Sequence, residues 1–234
     1  MIGVISDIHS NYAALQAVLE DARQLGCQKF ICLGDIAGYH VEINECIDLL
    51  RSLDQLILLR GNHDQYLLGN QGCKRSKHVT NTLLYQRQAI RVDNLEWLSH
   101  GILSHVMDRA FFYHGGPLDP LEQYIYTVTL DLFPSGCEYL FVGHSHVQCQ
   151  LTVENKLFCN PGSVGQPRDG DWRSAYAVLT SQGPELRRVA YDVTRTQKVM
   201  AKAGFPEYSY ANLSIGSQIG GRIDSVRLST ILNV

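Results

Sequence analysis

The chain has no C-x-x-C pair, and its seven cysteines (Cys27, Cys32, Cys46, Cys73, Cys137, Cys149 and Cys159) are an odd number. That argues against a disulfide framework and for reduced, mostly buried thiols, as expected in a reducing cytoplasm. Positive charge is also scarce. Lys and Arg number 20 against 23 Asp and Glu, giving a net charge of −3 and a pI near 6.3, with no basic run. That argues against a general affinity for nucleic acid or for anionic membrane. Long hydrophobic runs are missing, and nothing approaches the roughly 20 apolar residues that a membrane helix needs. Met1-Ile2-Gly3-Val4-Ile5 is short and lacks a basic flank, so no signal peptide is expected. Repeats, low-complexity tracts and linkers are absent too.

What is present reads as α/β. Apolar runs at 2–5, 29–33 and 55–59 alternate with helix-period segments at 12–25 and 42–53. Leu15, Val18, Leu19, Ala22 and Leu25 share one face of the first helix; Ile43, Cys46, Ile47 and Leu50 share one face of the second. Such alternation predicts a parallel sheet. Residues 76–100 read as helical and amphipathic through Val79, Leu83, Leu84, Leu95, Trp97 and Leu98. Strands are predicted near 102–106, 109–113, 138–142, 148–153, 156–159, 174–179 and 185–190. Turn signals stand at Asp108-Arg109, Glu154-Asn155 and Gln182-Gly183. These hairpins suggest a second, more antiparallel sheet. Helices are expected at 194–203 and 206–215, and a strand over 225–232 or a loosely held tail. The expected organisation is a single domain over 1–234, with a helical cap-like insertion near 76–100 and a C-terminal extension from about 194.

The chemistry is concentrated in five short strings, each just after an apolar run: Asp7-Ile8-His9, Gly34-Asp35, Gly61-Asn62-His63-Asp64, His114-Gly115 and Gly143-His144-Ser145-His146. The carboxyl ends of strands are where α/β sheets place ligands. In extended backbone, residues i and i+2 point to the same side, so Asp7 and His9 are expected to reach one metal; the same spacing recurs at His144 and His146. Imidazole nitrogen mixed with carboxylate oxygen suits Mn, Fe, Ni, Zn or Co over Ca. Asp35 is a natural bridging carboxylate and Asn62 offers an amide oxygen. His78, His100 and His105 lie outside any such string.

The ordered set resembles the signature of the calcineurin-like metallophosphoesterases. Asn160-Pro161-Gly162-Ser163, Pro167-Arg168, Gly34-Asp35-Ile36-Ala37-Gly38-Tyr39, Asn44-Glu45 and His114-Gly115-Gly116-Pro117 are similar to its bacterial small phosphodiesterase, or diadenosine tetraphosphatase-like, branch. The resemblance implies a four-layer αββα sandwich of two mixed sheets flanked by helices. It also implies two divalent ions, manganese foremost, with Fe, Ni, Zn, Co or Mg as alternatives. Asp7, His9, Asp35 and His146 would hold one ion, and Asp35, Asn62, His114 and His144 the other. His63 would serve as general acid or charge stabiliser, oriented by Asp64. Arg168 offers a bidentate fork for phosphoryl oxygens, unless a salt bridge to Asp169 or Asp171 engages it. Asn11, Asn62, His63 and Arg168 are the expected substrate contacts. Tyr12, Tyr39, Tyr66, Tyr124 and Tyr126 lie near motif loops.

The implied activity is hydrolysis of a phosphodiester or nucleotide by activated water, on a phosphorylated small molecule or nucleotide substrate. A homo-oligomer is left open. A protein serine/threonine phosphatase is the alternative, weakened because Gly38-Tyr39-His40 carries no Arg and because Asp64 stands where those enzymes usually have Glu. A non-catalytic scaffold of the same fold is a third reading. His40 is a departure of unassigned role.

Overall fold

The computed structural model describes residues 1–229. Three short apolar runs become strands β1 (Ile2–Ile5), β2 (Lys29–Cys32) and β3 (Leu56–Leu58), parallel and in register, with Val4 beside Ile31 and Ile31 beside Ile57. Helices α1 (Tyr12–Gln24) and α2 (Ile43–Arg51) make the crossovers. The four α2 residues assigned to one face are all buried, as are Leu15, Val18, Leu19 and Ala22 of α1. Leu25 is 36% exposed, because it falls at the C-cap, past the last turn that faces the sheet.

The long helical stretch is two helices, α4 (Lys77–Ala89) and α5 (Val92–Ser99), broken at Ile90, whose backbone is extended. Val79, Leu83 and Leu98 are buried, whereas Leu84 is 49% exposed. A helix that the periodicity does not predict, α3 (Asn62–Leu68), precedes them.

The second half supplies β4 (Ser104–Met107), β5 (Ala110–Tyr113), β6 (Thr127–Val128), β7 (Tyr139–Phe141), β8 (Cys149–Val153), β9 (Lys156–Asn160), β10 (Ser174–Thr180) and β11 (Gly183–Val189). Both sheets have five strands and both are mixed. The first runs β11-β10-β1-β2-β3; the second runs β4-β5-β7-β9-β8. The hairpin β10–β11 joins the first sheet by antiparallel pairing of β10 with β1, so it does not extend a separate antiparallel sheet. In the second sheet β5, β7 and β9 are parallel, and only its two edges are antiparallel. The turn residues Asp108 and Glu154 have φ of 53° and 55°, the left-handed conformation that tight hairpins need.

Val4, Ile31, Leu59, Phe112, Phe141 and Cys159 form one buried cluster, so the inner faces of the two sheets share a core. Phe112 and Phe141 stack there at 4.8 Å. The helices bury the outer face of the first sheet. The outer face of the second is covered by Ile125, Val128 and Phe133 from the 124–137 segment.

Helix α6 (Val193–Lys202) follows the strands. The expected helix over 206–215 is instead two 3₁₀ turns, Glu207–Ser209 and Ala211–Ser214, interrupted at Tyr210 with φ −139°. The tail forms β12 (Arg227–Leu228), parallel to β6. Residues 230–232 of the expected strand lie outside the described residues. All seven cysteines are free, and five are buried. Among the described residues no helix is long and apolar enough to cross a membrane.

Candidate metal centre

All five strings gather at one rim, because the strands preceding them are parallel within each sheet. Asp7 follows β1, Asp35 follows β2, Asn62 follows β3, His114 follows β5 and His144 follows β7. Asp7, His9 and His146 form one group with ligand atoms within 4.8 Å; Asp35, His114 and His144 form a second; His9, Asp35 and His63 form a third that links them.

The route to this convergence differs from the extended spacing read in the sequence. Asp7, His9, Asp35, His144 and His146 have φ between 51° and 63°. Each side chain is delivered by a left-handed residue in a tight loop, a conformation costing roughly 1–2 kcal/mol per non-glycine residue. Cross-links between loops hold it. Asp7 Oδ2 accepts from Ser6 Oγ at 2.6 Å and from the His144 N–H at 3.0 Å. Asp35 Oδ1 accepts from the His63 N–H at 2.9 Å. Gly34 has φ +104°, and a Cβ there would lie 2.3 Å from the Gly61 nitrogen, so two loops touch backbone to backbone.

The histidine tautomers follow from their partners. His9 Nδ1 lies 2.7 Å from the Ala37 carbonyl, His146 Nδ1 2.6 Å from that of Gln166, and His114 Nδ1 3.2 Å from that of Leu33. A carbonyl only accepts, so each Nδ1 carries the hydrogen and each neutral ring turns an Nε2 lone pair inward. His9 Nε2 and His146 Nε2 are then 3.0 Å apart, and His146 Nε2 is 3.2 Å from Asp7 Oδ1. His114 Nε2 stands 3.1 Å from Asn62 Oδ1, 3.2 Å from His144 Nδ1 and 3.4 Å from Asp35 Oδ2. Asp35 Oδ2 is also 3.7 Å from His9 Nε2, so this one oxygen faces both groups.

Asp7 Oδ1 and Asp35 Oδ2 are buried with no hydrogen-bond partner among the described residues. Lone pairs aimed at lone pairs, around two buried carboxylates, repel unless positive charge lies between them. The donor set fits two divalent ions of the nitrogen-accepting kind, and the carbonyl partners of the rings are the outer support such ligands need.

The electrostatics agree. Burial works to raise Asp7, yet His146, His114 and His9 hold it well below the ordinary carboxylate value. Asp35 is likewise lowered, by His114 and His63 against burial. Burial opposes charge on His114, but Asp35 and Asp7 raise it to about 9: the acidic pair calls for a positive charge at this spot. Burial, first among the causes, lowers His9, His144 and His146, keeping them neutral and free to ligate.

Around this centre two sequence expectations are corrected and one alternative is removed. Asn11 is fully buried and every hydrogen-bonding position of its amide is filled. It donates to the Gly165 carbonyl at 2.9 Å and Tyr191 OH at 3.2 Å, and accepts from Ala14 N–H at 3.3 Å and Thr196 Oγ1 at 2.9 Å. It is the N-cap of α1, not a substrate contact. Asp64 does not reach the imidazole of His63. Its carboxylate accepts from the N–H groups of Asp35 (2.8 Å), Ala37 (2.9 Å) and Gly61 (3.0 Å), tying the second string to the third. Arg168 makes no salt bridge with Asp169 or Asp171, which pair with Arg188 and Arg173.

Arg168 is instead buried. Its Nη2 donates to Tyr39 OH at 2.7 Å, its guanidinium lies 5.6 Å from the Tyr39 ring, and its Nε has no partner among the described residues. Tyr124 and Tyr126 stack in parallel at 5.7 Å, with Tyr124 3.7 Å from the His144 ring. His40 is buried and donates from Nδ1 to the His9 carbonyl at 2.8 Å, so it supports the first string from behind.

Sequence reasoning missed Gln86, which α4 inserts, fully buried, under the 38–40 loop. Its amide donates to Ser10 Oγ (2.9 Å), His40 O (2.6 Å) and Gly38 O (3.3 Å) and accepts from Gly38 N–H (2.9 Å). A glutamine on a polar helix carries no local signal of burial.

The comparisons agree with this geometry. Residues 1–183 match the calcineurin-like phosphoesterase superfamily domain. An uncharacterized protein of Methanocaldococcus jannaschii is 34% identical, over 92% of this chain and 98% of its own. The crystal structure of a metallophosphoesterase from Sphaerobacter thermophilus is 30% identical and superposes with a TM-score of 0.78, covering 92% of this chain and 98% of that one. A hypothetical protein from Pyrococcus horikoshii, 20% identical, shares the fold at a TM-score of 0.79 over 92% of this chain and 99% of its own. With two mixed five-stranded sheets and six helices among the described residues, and a buried His/Asp metal site at the strand ends, the chain belongs to the calcineurin-like metallophosphoesterase superfamily.

Proposed function

We propose that this metallophosphoesterase is a phosphodiesterase or nucleotide phosphatase that uses two divalent ions, manganese foremost. Asp7, His9, Asp35 and His146 hold one ion, and Asp35, Asn62, His114 and His144 the other. The observation that carries the reading is the orphaned Asp35 Oδ2, which faces His9 on one side and His114 on the other. Bound there, such ions supply a nucleophilic water at neutral pH and neutralise phosphoryl charge.

The chain's own residues do the rest. Arg168, a buried cation without a carboxylate partner among the described residues, grips a phosphoryl oxygen, and Tyr39 fixes its fork. His63 is the proton donor. As the P–O bond to the leaving alcohol breaks, the imidazole passes its proton to that oxygen. Water contributes the oxygen that enters the phosphate, and its released proton restores the imidazole through solvent. Burial brings His63 down to about 4 against the pull of Asp35. A phosphoester anion beside the ring favours the charged form that donation requires, and the two cations oppose it. Seven unbonded cysteines support a cytoplasmic setting, and α4 and α5 serve as the cap-like insertion of a single domain.

The test is hydrolysis of bis-p-nitrophenyl phosphate, a nucleotide panel and a phosphopeptide with Mn, Ni, Fe, Zn, Co or Mg. Diester or nucleotide cleavage that needs added ion and is lost in Asp35→Ala is expected. Activity confined to the phosphopeptide, or none with any ion, overturns the proposal.

A further inference from the structure

A catalytic imidazole is ordinarily oriented by a hydrogen bond to its second nitrogen. His63 has none. Asp64, the next residue, is occupied by three backbone N–H groups on neighbouring loops. His63 Nδ1 is buried without a hydrogen-bond partner among the described residues. The Gly38 backbone lies against it, so closely that a Cβ at position 38 would stand 2.1 Å from Nδ1. No carboxylate has room there.

Two tyrosines contact the ring instead. Tyr39, from the loop after β2, lies 5.3 Å away and nearly parallel at 18°. Tyr66, one turn further along α3, lies 5.9 Å away at 30°. Both are anchored at the far end. The Tyr39 hydroxyl accepts from Arg168, and the Tyr66 hydroxyl donates to Glu122, which pairs with Arg75 at 3.1 Å. Offset-stacked on two tyrosine rings, with the His9 ring 4.9 Å away, the imidazole would lose these contacts by turning about its Cβ–Cγ bond. In this orientation Nε2 stands 4.0 Å from Asp35 Oδ2, toward the metal groups.

We propose that Tyr39 and Tyr66 are the positioning residues of His63: an aromatic clamp that takes the place of an orienting carboxylate and aims Nε2 at the leaving oxygen. This rests on the reading of His63 as proton donor.

The test separates proton donation from everything else by varying the leaving group. p-Nitrophenolate departs without a proton, whereas phenolate benefits from one. Rates on bis-p-nitrophenyl phosphate and diphenyl phosphate are measured in Mn for wild type, Tyr66→Leu, Tyr66→Met, Tyr66→Phe, His63→Ala and the His63→Ala/Tyr66→Leu double variant, with bound metal determined for each. Tyr66→Leu and Tyr66→Met are expected to lose about 10- to 100-fold in kcat on the phenyl ester, the scale of a misplaced catalytic group. They should lose less than about threefold on the nitrophenyl ester, with KM and metal content unchanged. Tyr66→Phe, which keeps the ring, should recover most of the lost rate. In the His63→Ala background, Tyr66→Leu should add nothing. Equal losses on both esters, no loss at all, or a further loss on top of His63→Ala overturns the clamp. His63→Ala matching wild type on both esters instead overturns the proton-donor reading beneath it.

Discussion

Replacing Gln86 with leucine tests whether a helix outside the ligand strings holds the metal centre together. The near-isosteric change removes four hydrogen bonds that pin the 38–40 loop and Ser10. Some groups keep other partners. The Gly38 carbonyl still accepts from the His40 N–H at 2.7 Å, and Ser10 Oγ still donates to the Ile36 carbonyl at 3.1 Å. The Gly38 N–H and the His40 carbonyl lose their only described partner. An orphaned buried group costs about 1–3 kcal/mol, so with two orphaned the variant should lose roughly 2–6 kcal/mol. For a chain of this size that is a fall of about 4–24 °C in melting temperature. The same loop carries the Ala37 carbonyl that fixes the His9 ring, and loss of such support typically lowers metal affinity about 10- to 100-fold. Thermal denaturation with and without ion, together with metal titration, reads both effects. A Gln86→Leu protein that melts within about 2 °C of wild type and binds ion equally well would refute this role for α4.

Asp64→Asn should lower stability, by about 1–3 kcal/mol, since its amide group turns donors toward a backbone N–H. It should leave the preference between phenyl and nitrophenyl esters as in wild type; a stable variant with the ester selectivity of His63→Ala would return Asp64 to an orienting role. Arg168→Met should reduce kcat/KM about 10- to 100-fold, the worth of a charged hydrogen bond, without loss of metal; unchanged kcat/KM would remove Arg168 from the site. His40 is held at about 3 by burial, against 6.5 when unfolded, so the unfolded chain binds the extra proton between those values. Its contribution to the stability of the metal-free protein is therefore full above pH 6.5 and is lost as pH falls toward 3, at about 1.4 kcal/mol per pH unit. His40→Gln should flatten the slope of stability against pH in that window, and an unaltered slope would contradict the assignment.

The ligand strings were legible because each is a dense cluster of metal-binding side chains right after a buried strand, and because parallel strands deliver their ends to one rim. The loop conformation was not. Asp7 and His9 reach inward from left-handed residues, which residue spacing cannot reveal. Helix α3 was hidden because Gly61-Asn62-His63-Asp64 reads as a turn; its first turn forms because Gly61 caps it and Asp64 binds the cap N–H. Asn11 and Asp64 sit beside ligands in sequence, so adjacency suggested chemistry. Their side chains are instead filled mostly by groups from segments distant in sequence: Gly165, Tyr191 and Thr196 for Asn11, and the Asp35 and Ala37 N–H groups for Asp64. Gln86 and the break at Tyr210 depend on tertiary contacts and left no local pattern.

In the proposed centre two cations share Asp35 at this rim. Metal bound per chain, measured by mass spectrometry after equilibrium dialysis against manganese, tests it most directly. Two ions are expected for the wild type and fewer than two for Asp35→Ala. A wild-type chain that binds none, or an Asp35→Ala chain that still binds two, would contradict the account.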